Sequence, residues 1–365
     1  MSFKTNSDLD MNMLDLYSDY LFSSFSYTTA TGLSALLDNQ ISHDQVTRFL
    51  SKREYGPKDL WKLVKPVVRE IETDDGCLLF DDTIEEKEYT DENEIVAWHF
   101  DHSKGRNLKG INILSAIYYS NSYTIPISFE IVKKDQEFID DQGKKKRRSS
   151  MNKNEYFRNM FKVSISNKIK FKYVLADIWF SSKENMEYIL ENKKHFIFAV
   201  KKNRLVALSK EEKLKGKFKN LESLDFEEGR VKKVFFKGMG TEILVCRQVF
   251  TNQDGSTGIL YLASSDIDLD FKELTDIYQK RWKIEEYHKS IKSNTGLAKS
   301  PTKTVMTQGN HFFASIYSYF KLERLSHETK LNHFALKTKL YVRALKISFD
   351  ELQLLKNQTI LGVGA

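Results

Sequence analysis

Residues 278–292 of the chain read YQKRWKIEEYHKSIK. Four of them stand at positions one, four, eight and fifteen of this segment: Tyr278, Arg281, Glu285 and Lys292. An α-helix turns about 100° per residue, so one continuous helix would place these side chains within roughly 60° of one another. A core-facing stripe would be apolar, whereas this face carries a phenol, a carboxylate and two cations. The spacing therefore predicts a site that holds an anion beside a metal ion.

Two apolar runs upstream each end on an aspartate. Residues 77–80 (CLLF) precede Asp81, and residues 173–176 (YVLA) precede Asp177. Strands that finish in this way are unusual, because a buried carboxylate is costly unless it is paired or bound to a metal. Two aspartates on neighbouring strands, with Glu285 on a helix, offer the oxygen ligands that Mg²⁺ and Mn²⁺ prefer. Two such ions about 3.5–4 Å apart stabilise the attacking and leaving oxygens of a displacement at phosphorus.

These motifs resemble those of the DDE transposases of bacterial insertion sequences. More narrowly, they resemble insertion sequence family four, whose mark is a Tyr-Arg-Glu-Lys helix with the spacing Y-x2-R-x3-E-x6-K. Residues 278–292 match that spacing completely. The first aspartate of the family lies in a D-x-T or D-x-S context, which Asp81 satisfies through Thr83, with the adjacent Asp82 as second candidate. Its second aspartate follows a strand and precedes a small loop, as Asp177 does.

The resemblance, which spans residues 78–322, implies an enzyme. Its catalytic residues and metal ligands would be Asp81, Asp177 and Glu285, and they would hold two Mg²⁺ ions for which Mn²⁺ can substitute. The family binds the terminal inverted repeats of its element, hydrolyses the DNA there and transfers the ends to target DNA by a cut-and-paste route. Paired ends imply a homodimer on double-stranded DNA.

The signature segment also supplies candidate contacts to DNA. We expect Arg281 and Tyr278 to bind a terminal phosphate, because a guanidinium forms paired hydrogen bonds with phosphate oxygens. Lys292 would contact the backbone one or two nucleotides away. Helical arginines and lysines more often reach into solvent or pair with a nearby carboxylate. The face that they share with Glu285 favours the phosphate role.

Other basic and aromatic residues allow two interpretations each. Lys104 and Arg106 lie in a basic loop that enters a predicted strand, and we expect them to contact DNA. The run at residues 144–148 (KKKRR) either follows a phosphate backbone or is a solvated loop. Trp179 and Trp282 could stack on an unpaired base, although a core position is the commoner role for such a side chain.

From residue 77 onward the pattern predicts an α/β fold. Three antiparallel strands are followed by alternating helices and strands, as in an RNase H-like mixed five-stranded sheet in which the first and fourth strands lie side by side. The predicted strands are residues 77–80, 110–119, 123–132, 173–176 and 196–200. One predicted helix covers about residues 154–165, and residues 181–185 begin another. Residues 120–122 (SNS) form the predicted turn of the second hairpin.

Changes in pattern divide the chain into five predicted segments. They are an N-terminal helical DNA-binding domain (1–74), the first part of the catalytic core (75–200), an all-β insertion (201–268), the second part of the core (269–325) and a C-terminal helical tail (326–365). In the first, helical patterns at 31–37 and 43–50, with Ser42 as the N-cap of the second, suit either a helix-turn-helix or a plain bundle. Arg48 is the candidate DNA contact there.

Composition narrows the class of protein. The net charge of +7 favours a polyanionic partner, but only mildly. The two cysteines, Cys77 and Cys246, are far apart, which argues against zinc and against a disulfide framework. No signal peptide and no run of about eighteen apolar residues is visible. We expect a protein of the bacterial cytoplasm that associates with the nucleoid and not with a membrane.

Two other functions use the same features. A DNA-binding protein from a decayed or domesticated element would keep the fold without catalysis, but the acids at all three positions count against it. A nuclease on the same fold would keep the metal ions and lack strand transfer.

Overall fold

The computed structural model describes residues 6–101, 104–251 and 254–362. Within these ranges the chain forms two compact units. One comprises the chain up to Tyr55 and from Lys289 onward, and the other runs from Gly56 to His288. The segment predicted as an N-terminal domain, residues 1–74, therefore crosses a unit boundary. No helix in the described ranges is both long and apolar enough to cross a membrane.

Along the sequence, helices precede and follow a long run of strands. The helices are α1 (Asn6–Ser23), α2 (Ala30–Leu36), α3 (His43–Lys52), α4 (Pro57–Ile71), α5 (Lys153–Ser166), α6 (Lys183–Glu191), α7 (Lys210–Leu214), α8 (Phe271–Gln279), α9 (Trp282–Asn294), α10 (Val305–Thr329) and α11 (His333–Gly362). The strands are β1 (Cys77–Glu86), β2 (Ala97–Asp101), β3 (Arg106–Ser120), β4 (Tyr123–Ile131), β5 (Gln136–Ile139), β6 (Lys145–Arg148), β7 (Tyr173–Ala176), β8 (His195–Val200), β9 (Leu205–Ala207), β10 (Lys219–Asn220), β11 (Val231–Phe236), β12 (Glu242–Thr251) and β13 (Thr257–Ser264).

The unit formed by the two ends of the chain is helical. Helices α1, α3 and α10 pack against one another. Tyr17 of α1 is buried, and its hydroxyl is hydrogen-bonded to Nδ1 of His311 in α10 at 3.0 Å. The side-chain amide of Asn310 donates to the backbone oxygen of Leu50 at 2.8 Å, which satisfies a carbonyl near the end of α3. Hydrogen bonds between buried polar groups thus fix the positions of these helices relative to one another.

The predicted helix pair lies in this unit. Helices α2 and α3 match the two helical patterns, and they contact each other. The hydroxyl of Ser42 accepts from the backbone N of Gln45 at 3.3 Å, and Oε1 of Gln45 accepts from the backbone N of Ser42 at 2.8 Å. This reciprocal arrangement is a capping box and confirms the predicted N-cap. Arg48 is exposed on α3.

The second unit is built on a large mixed sheet. Among the described residues, 11 strands join it in the order β10-β9-β11-β12-β13-β8-β7-β1-β3-β2, with β4 paired to β3. The five predicted core strands are β1, β3, β4, β7 and β8, and they are neighbours in this sheet. Strand β1 pairs with β7 in parallel, with Phe80 opposite Ala176. The predicted adjacency of the first and fourth strands is confirmed, and the mixed α/β architecture is consistent with an RNase H-like domain.

The strands beyond β8 extend the same sheet, so the five-stranded prediction is too small. Strand β13 pairs with β8 antiparallel, with Ala263 opposite Phe198. A sheet edge presents unpaired backbone groups, and the chain after β8 satisfies them with further strands. The segment 201–268 is also not purely β, because it contains α7.

Two hairpins differ in how well the sequence predicted them. Asn121 and Ser122 have φ of 49° and 66°, which gives the tight β3–β4 turn expected at residues 120–122. The basic run predicted as a loop contains instead β6, which pairs with β5. Lys145 forms an ion pair with Glu137 of β5 at 2.6 Å. Glu137 also pairs with Arg147, so one acid of β5 faces two cations of β6, and apolar periodicity does not detect such cross-strand charge pairs.

An aromatic cluster supports the sheet where β1 and β7 end their shared pairing. Phe157 of α5 is fully buried, and its ring centroid lies 4.4 Å from that of Phe80 and 5.6 Å from that of Phe180. Phe80 precedes Asp81, and Phe180 follows Asp177 by three residues. The packing of one helix therefore positions both aspartates.

Candidate active site

The first acidic pair lies inside a strand and not after its end. Strand β1 continues to Glu86, so Asp81 and Asp82 point to opposite faces of the sheet. The carboxylate of Asp82 accepts hydrogen bonds from Nδ2 of Asn112 at 2.8 Å and from Nζ of Lys153 at 2.7 Å. Asp82 thus has hydrogen-bond partners of its own. Asp81 instead lies near Arg281, and its assignment as a metal ligand stays a prediction.

Asp177 lies close enough to Asp81 to influence its ionisation. Burial, the charge of Asp177 and the charge of Asp82 together raise the pKa of Asp81 to about 8, against a smaller lowering effect of Arg281. Burial also raises the pKa of Asp177, although its carboxylate accepts a hydrogen bond from the backbone N of Trp179 at 3.0 Å. Burial is the main cause of both shifts, and neighbouring carboxylates add to it.

The signature segment is not one helix. Helix α8 ends at Gln279 and α9 begins at Trp282. At the junction the backbone N of Arg281 donates to the oxygen of Tyr278 at 2.9 Å, and the N of Ile284 donates to the oxygen of Arg281 at 3.0 Å. Hydrogen bonds between residues three apart are typical of a 3₁₀-helix, which has about three residues per turn and is tighter than an α-helix. The predicted single helical face is therefore wrong, because the junction changes the angular phase between Tyr278 and the residues of α9.

Arg281 links the two acidic elements across this junction. Its guanidinium lies 2.5 Å from Oε1 of Glu285 and 3.6 Å from Oδ2 of Asp81. The side chains of Arg281, Asp81 and Glu285 are 16%, 18% and 34% exposed. The guanidinium carbon also lies 5.7 Å from the centre of the buried Tyr278 ring. Arg281, which the sequence predicts to bind phosphate, is therefore paired in this structure with two of the three acids.

The carboxylates fit a hard divalent cation by chemistry, but Arg281 stands between two of them. Among the described residues, no group of three His, Cys, Asp or Glu side chains is placed to hold a metal ion directly. Coordination by Asp81 and Glu285 together requires the guanidinium to withdraw. Mg²⁺ or Mn²⁺ would suit these oxygen donors, and its positive charge would favour the ionised form of Asp81.

Known families match the chain across this site. Residues 5–215 match the family described as DDE superfamily endonuclease, and residues 130–321 match the family described as Transposase DDE domain. The chain is a DDE transposase. These matches identify a DDE-type transposase or endonuclease, a class that works on DNA and typically uses divalent metal ions. No curated protein matches the sequence.

The structure of the transposase brings together five of the residues predicted for the site. They are Asp81, Asp177, Tyr278, Arg281 and Glu285, which ion pairs or mutual charge effects connect. The two basic residues of the predicted loop lie elsewhere. Lys104 and Arg106 both pair with Glu86, the latter at 3.6 Å. Glu86 is five residues from Asp81 along β1, or about 16 Å in an extended strand.

Two further predicted contacts belong to the other unit. Lys292 lies in the last turn of α9, and Arg48 lies on α3. Their DNA contacts stay predictions.

Three features of the site differ from what the sequence suggested or were not foreseen. Trp179 and Trp282 are 48% and 58% exposed, so the core position expected of each is wrong. The sequence motifs do not include Asn112, although a lone amide in the apolar run of β3 is a usable signal. They do not include Lys153 either, and the sequence contains no sign that the first residue of α5 reaches Asp82.

Proposed function

We propose that this transposase binds the terminal inverted repeats of an insertion sequence and catalyses two-metal hydrolysis and strand transfer there. The observation that supports the proposal is that Arg281 forms ion pairs with Asp81 and Glu285 and also acts on the charge of Asp177. Membership of insertion sequence family four is part of the same proposal, and its support is the complete Tyr-Arg-Glu-Lys spacing. The reaction would take place in the bacterial nucleoid.

Asp81, Asp177 and Glu285 are the residues that would hold two Mg²⁺ ions, or Mn²⁺ in their place. When bound, such ions stabilise the attacking and leaving oxygens at phosphorus. Asp82 would remain outside this set, because Asn112 and Lys153 already satisfy it.

Arg281 and Tyr278 would bind the phosphate of the element end. The guanidinium would exchange its two carboxylates for phosphate oxygens, which accept the same paired hydrogen bonds. Burial raises the pKa of Tyr278 to about 12, so its hydroxyl stays protonated at neutral pH. A protonated phenol can donate a hydrogen bond to phosphate and does not act as a base.

The wider DNA contacts and the homodimer extend the proposal. Lys104, Arg106, Lys292 and Arg48 would contact the backbone, with the first two giving up their pairing with Glu86. Helix α11 supports association between copies, because many of its large apolar side chains are exposed. These include Leu340, Tyr341, Val342, Leu345, Ile347, Phe349, Leu352, Leu354 and Leu355.

Neutral isosteres at the three acids test the catalytic assignment. Asp81→Asn, Asp177→Asn and Glu285→Gln should each abolish cleavage of an element-end duplex in Mg²⁺ and leave end binding largely intact. Asp82→Asn is the matched control in the same strand, and it should retain measurable cleavage. A variant that still cleaves at the wild-type rate would remove that residue from the site.

Strand transfer separates this function from the two others. Precleaved ends, target plasmid and Mg²⁺ should yield joined products. Nicks without joining would indicate a nuclease. Absence of Mn²⁺ binding in calorimetry, in wild type as in Asp177→Ala, would indicate a DNA-binding protein without catalysis.

A further inference from the structure

A second cavity lies beside Asp177 and has no role in the account above. Its volume is about 450 Å³, and its lining includes Trp179, Lys201, Arg204 and Lys237. All of its lining residues belong to the unit Gly56–His288. We call it the Trp179 cavity.

The Trp179 cavity carries three cationic side chains, and Glu184 lies near enough to Arg204 to influence its charge. Within the described part of the chain, Lys201, Arg204 and Lys237 form no ion pair with an acidic side chain. The guanidinium of Arg204 is fixed, because it donates to the backbone oxygen of Ser181 at 2.9 Å and its carbon lies 4.8 Å from the centre of the Phe236 ring. Three cations around one concave surface would attract a polyanion.

The aromatic side chain of the cavity suits an unstacked base. The indole of Trp179 is 48% exposed, and Nζ of Lys201 lies 5.7 Å from its ring centre. The backbone N of Trp179 donates to Oδ1 of Asp177 at 3.0 Å, which places the ring two residues from a proposed metal ligand. Aromatic platforms flanked by lysine and arginine are how proteins bind single strands without sequence preference.

Under the proposed function, a different cavity would bind the element end. It has a volume of about 790 Å³ and is lined by Tyr278, Arg281 and Trp282 among others. The two cavities share no lining residue. Strand transfer, on which this inference rests, requires two DNA strands at one set of carboxylates. With the first cavity assigned to the element end, the second has the charge and the aromatic surface that the other strand needs.

We propose that the Trp179 cavity binds the target DNA strand, with a base stacked on Trp179 and backbone phosphates held by Lys201 and Lys237. The ligand class is a locally unpaired DNA strand. Arg204 would contribute charge from a fixed position.

The double variant Lys201→Gln/Lys237→Gln tests the charge, and Trp179→Ala tests the stacking surface. Each variant is incubated with precleaved and with intact element ends in Mg²⁺. The ratio of joined to nicked product should fall about ten-fold in each variant relative to wild type. Trp179→Phe keeps an aromatic ring and should recover most of the ratio. The matched control is Lys62→Gln/Lys65→Gln, which removes two exposed lysines from α4 and should leave the ratio unchanged.

A second measurement keeps this inference separate from the proposed function. Anisotropy of a labelled single-stranded oligonucleotide should show about ten-fold weaker binding to Lys201→Gln/Lys237→Gln than to wild type or to the α4 control. An unchanged product ratio with unchanged oligonucleotide binding would overturn the role of the cavity. Wild-type protein that neither nicks nor joins would overturn the proposed function, and the oligonucleotide titration would then decide the cavity alone.

Discussion

Replacing Arg281 with glutamine should strengthen metal binding and weaken DNA binding. The guanidinium contacts Glu285 at 2.5 Å and Asp81 at 3.6 Å. In the wild-type protein a divalent ion must displace this cation before both carboxylates can coordinate. Glutamine keeps much of the side-chain length and removes the charge, so the two acids would be available without that displacement.

The expected size of the effect follows from the two contacts. A hydrogen bond to a charged group contributes about 1.5–3 kcal/mol, and 1.4 kcal/mol corresponds to a factor of ten. Binding of Mn²⁺ should therefore tighten by about ten- to a hundred-fold. Without metal, breaking a buried ion pair costs about 3–5 kcal/mol. Because Glu285 is 34% exposed, we expect the lower end of that range.

Calorimetric titration with Mn²⁺ and thermal unfolding measure the two sides of this prediction. A loss of about 3 kcal/mol should lower Tm in EDTA by about 6–12 °C for a unit of this size. Saturating Mn²⁺ should narrow that gap. End binding should weaken, and the slope of log affinity against log salt should fall by about one.

Arg69→Gln is the matched control for the loss of an ion pair. Arg69 pairs with Glu72 at 2.8 Å, and neither residue belongs to the proposed site. This variant should lower Tm without changing Mn²⁺ affinity. If Arg281→Gln binds Mn²⁺ no more tightly than wild type does, Arg281 does not compete with the metal, and our interpretation of the ion pairs is refuted.

Three further predictions concern the scaffold. Phe157→Ala should lower the free energy of unfolding in urea by about 3–5 kcal/mol, because the ring is fully buried, and a smaller loss would mean that the cluster repacks. Burial would raise the pKa of Asp266, but hydrogen bonds from Lys172 and Tyr173 outweigh it and hold that pKa below its usual value. The ionised Asp266 therefore stabilises the folded protein above pH about 4, and this stabilisation is lost as pH falls through the folded pKa. Asp266→Asn should lower the free energy of unfolding by about 1.5–3 kcal/mol at pH 7 and by little in acid. A difference from wild type that does not change with pH would contradict this. Gly110→Ala should lower Tm, because the new Cβ would lie 2.2 Å from a backbone oxygen of β1, whereas the control Gly240→Ala meets nothing within 4 Å; equal Tm values would refute the clash.

Much of the fold was readable from local patterns. Strand β7 has the predicted bounds, and β3, β4 and β8 lie within a few residues of theirs. The N-cap at Ser42 was also predictable, because it depends only on residues nearby in the sequence. Apolar periodicity, turn residues and capping side chains act over a few positions, so the sequence contains them directly. The candidate acids Asp81, Asp177 and Glu285 were predicted from motifs, although of the two aspartates only Asp177 follows the end of its strand.

The arrangement of the site was decided by tertiary structure. The sequence alone could not show that Asp82 is paired, because its partners Asn112 and Lys153 lie 30 and 71 positions away. It also did not show that the later strands would extend the core sheet, since strand pairing depends on which edge is open. The break at Arg281 and its link to Asp81 arise where a helix meets a strand 200 residues earlier. The sequence by itself determined which residue types are present and what each segment prefers locally. Which charges face one another depends on contacts between distant segments, and only the folded chain brings those together.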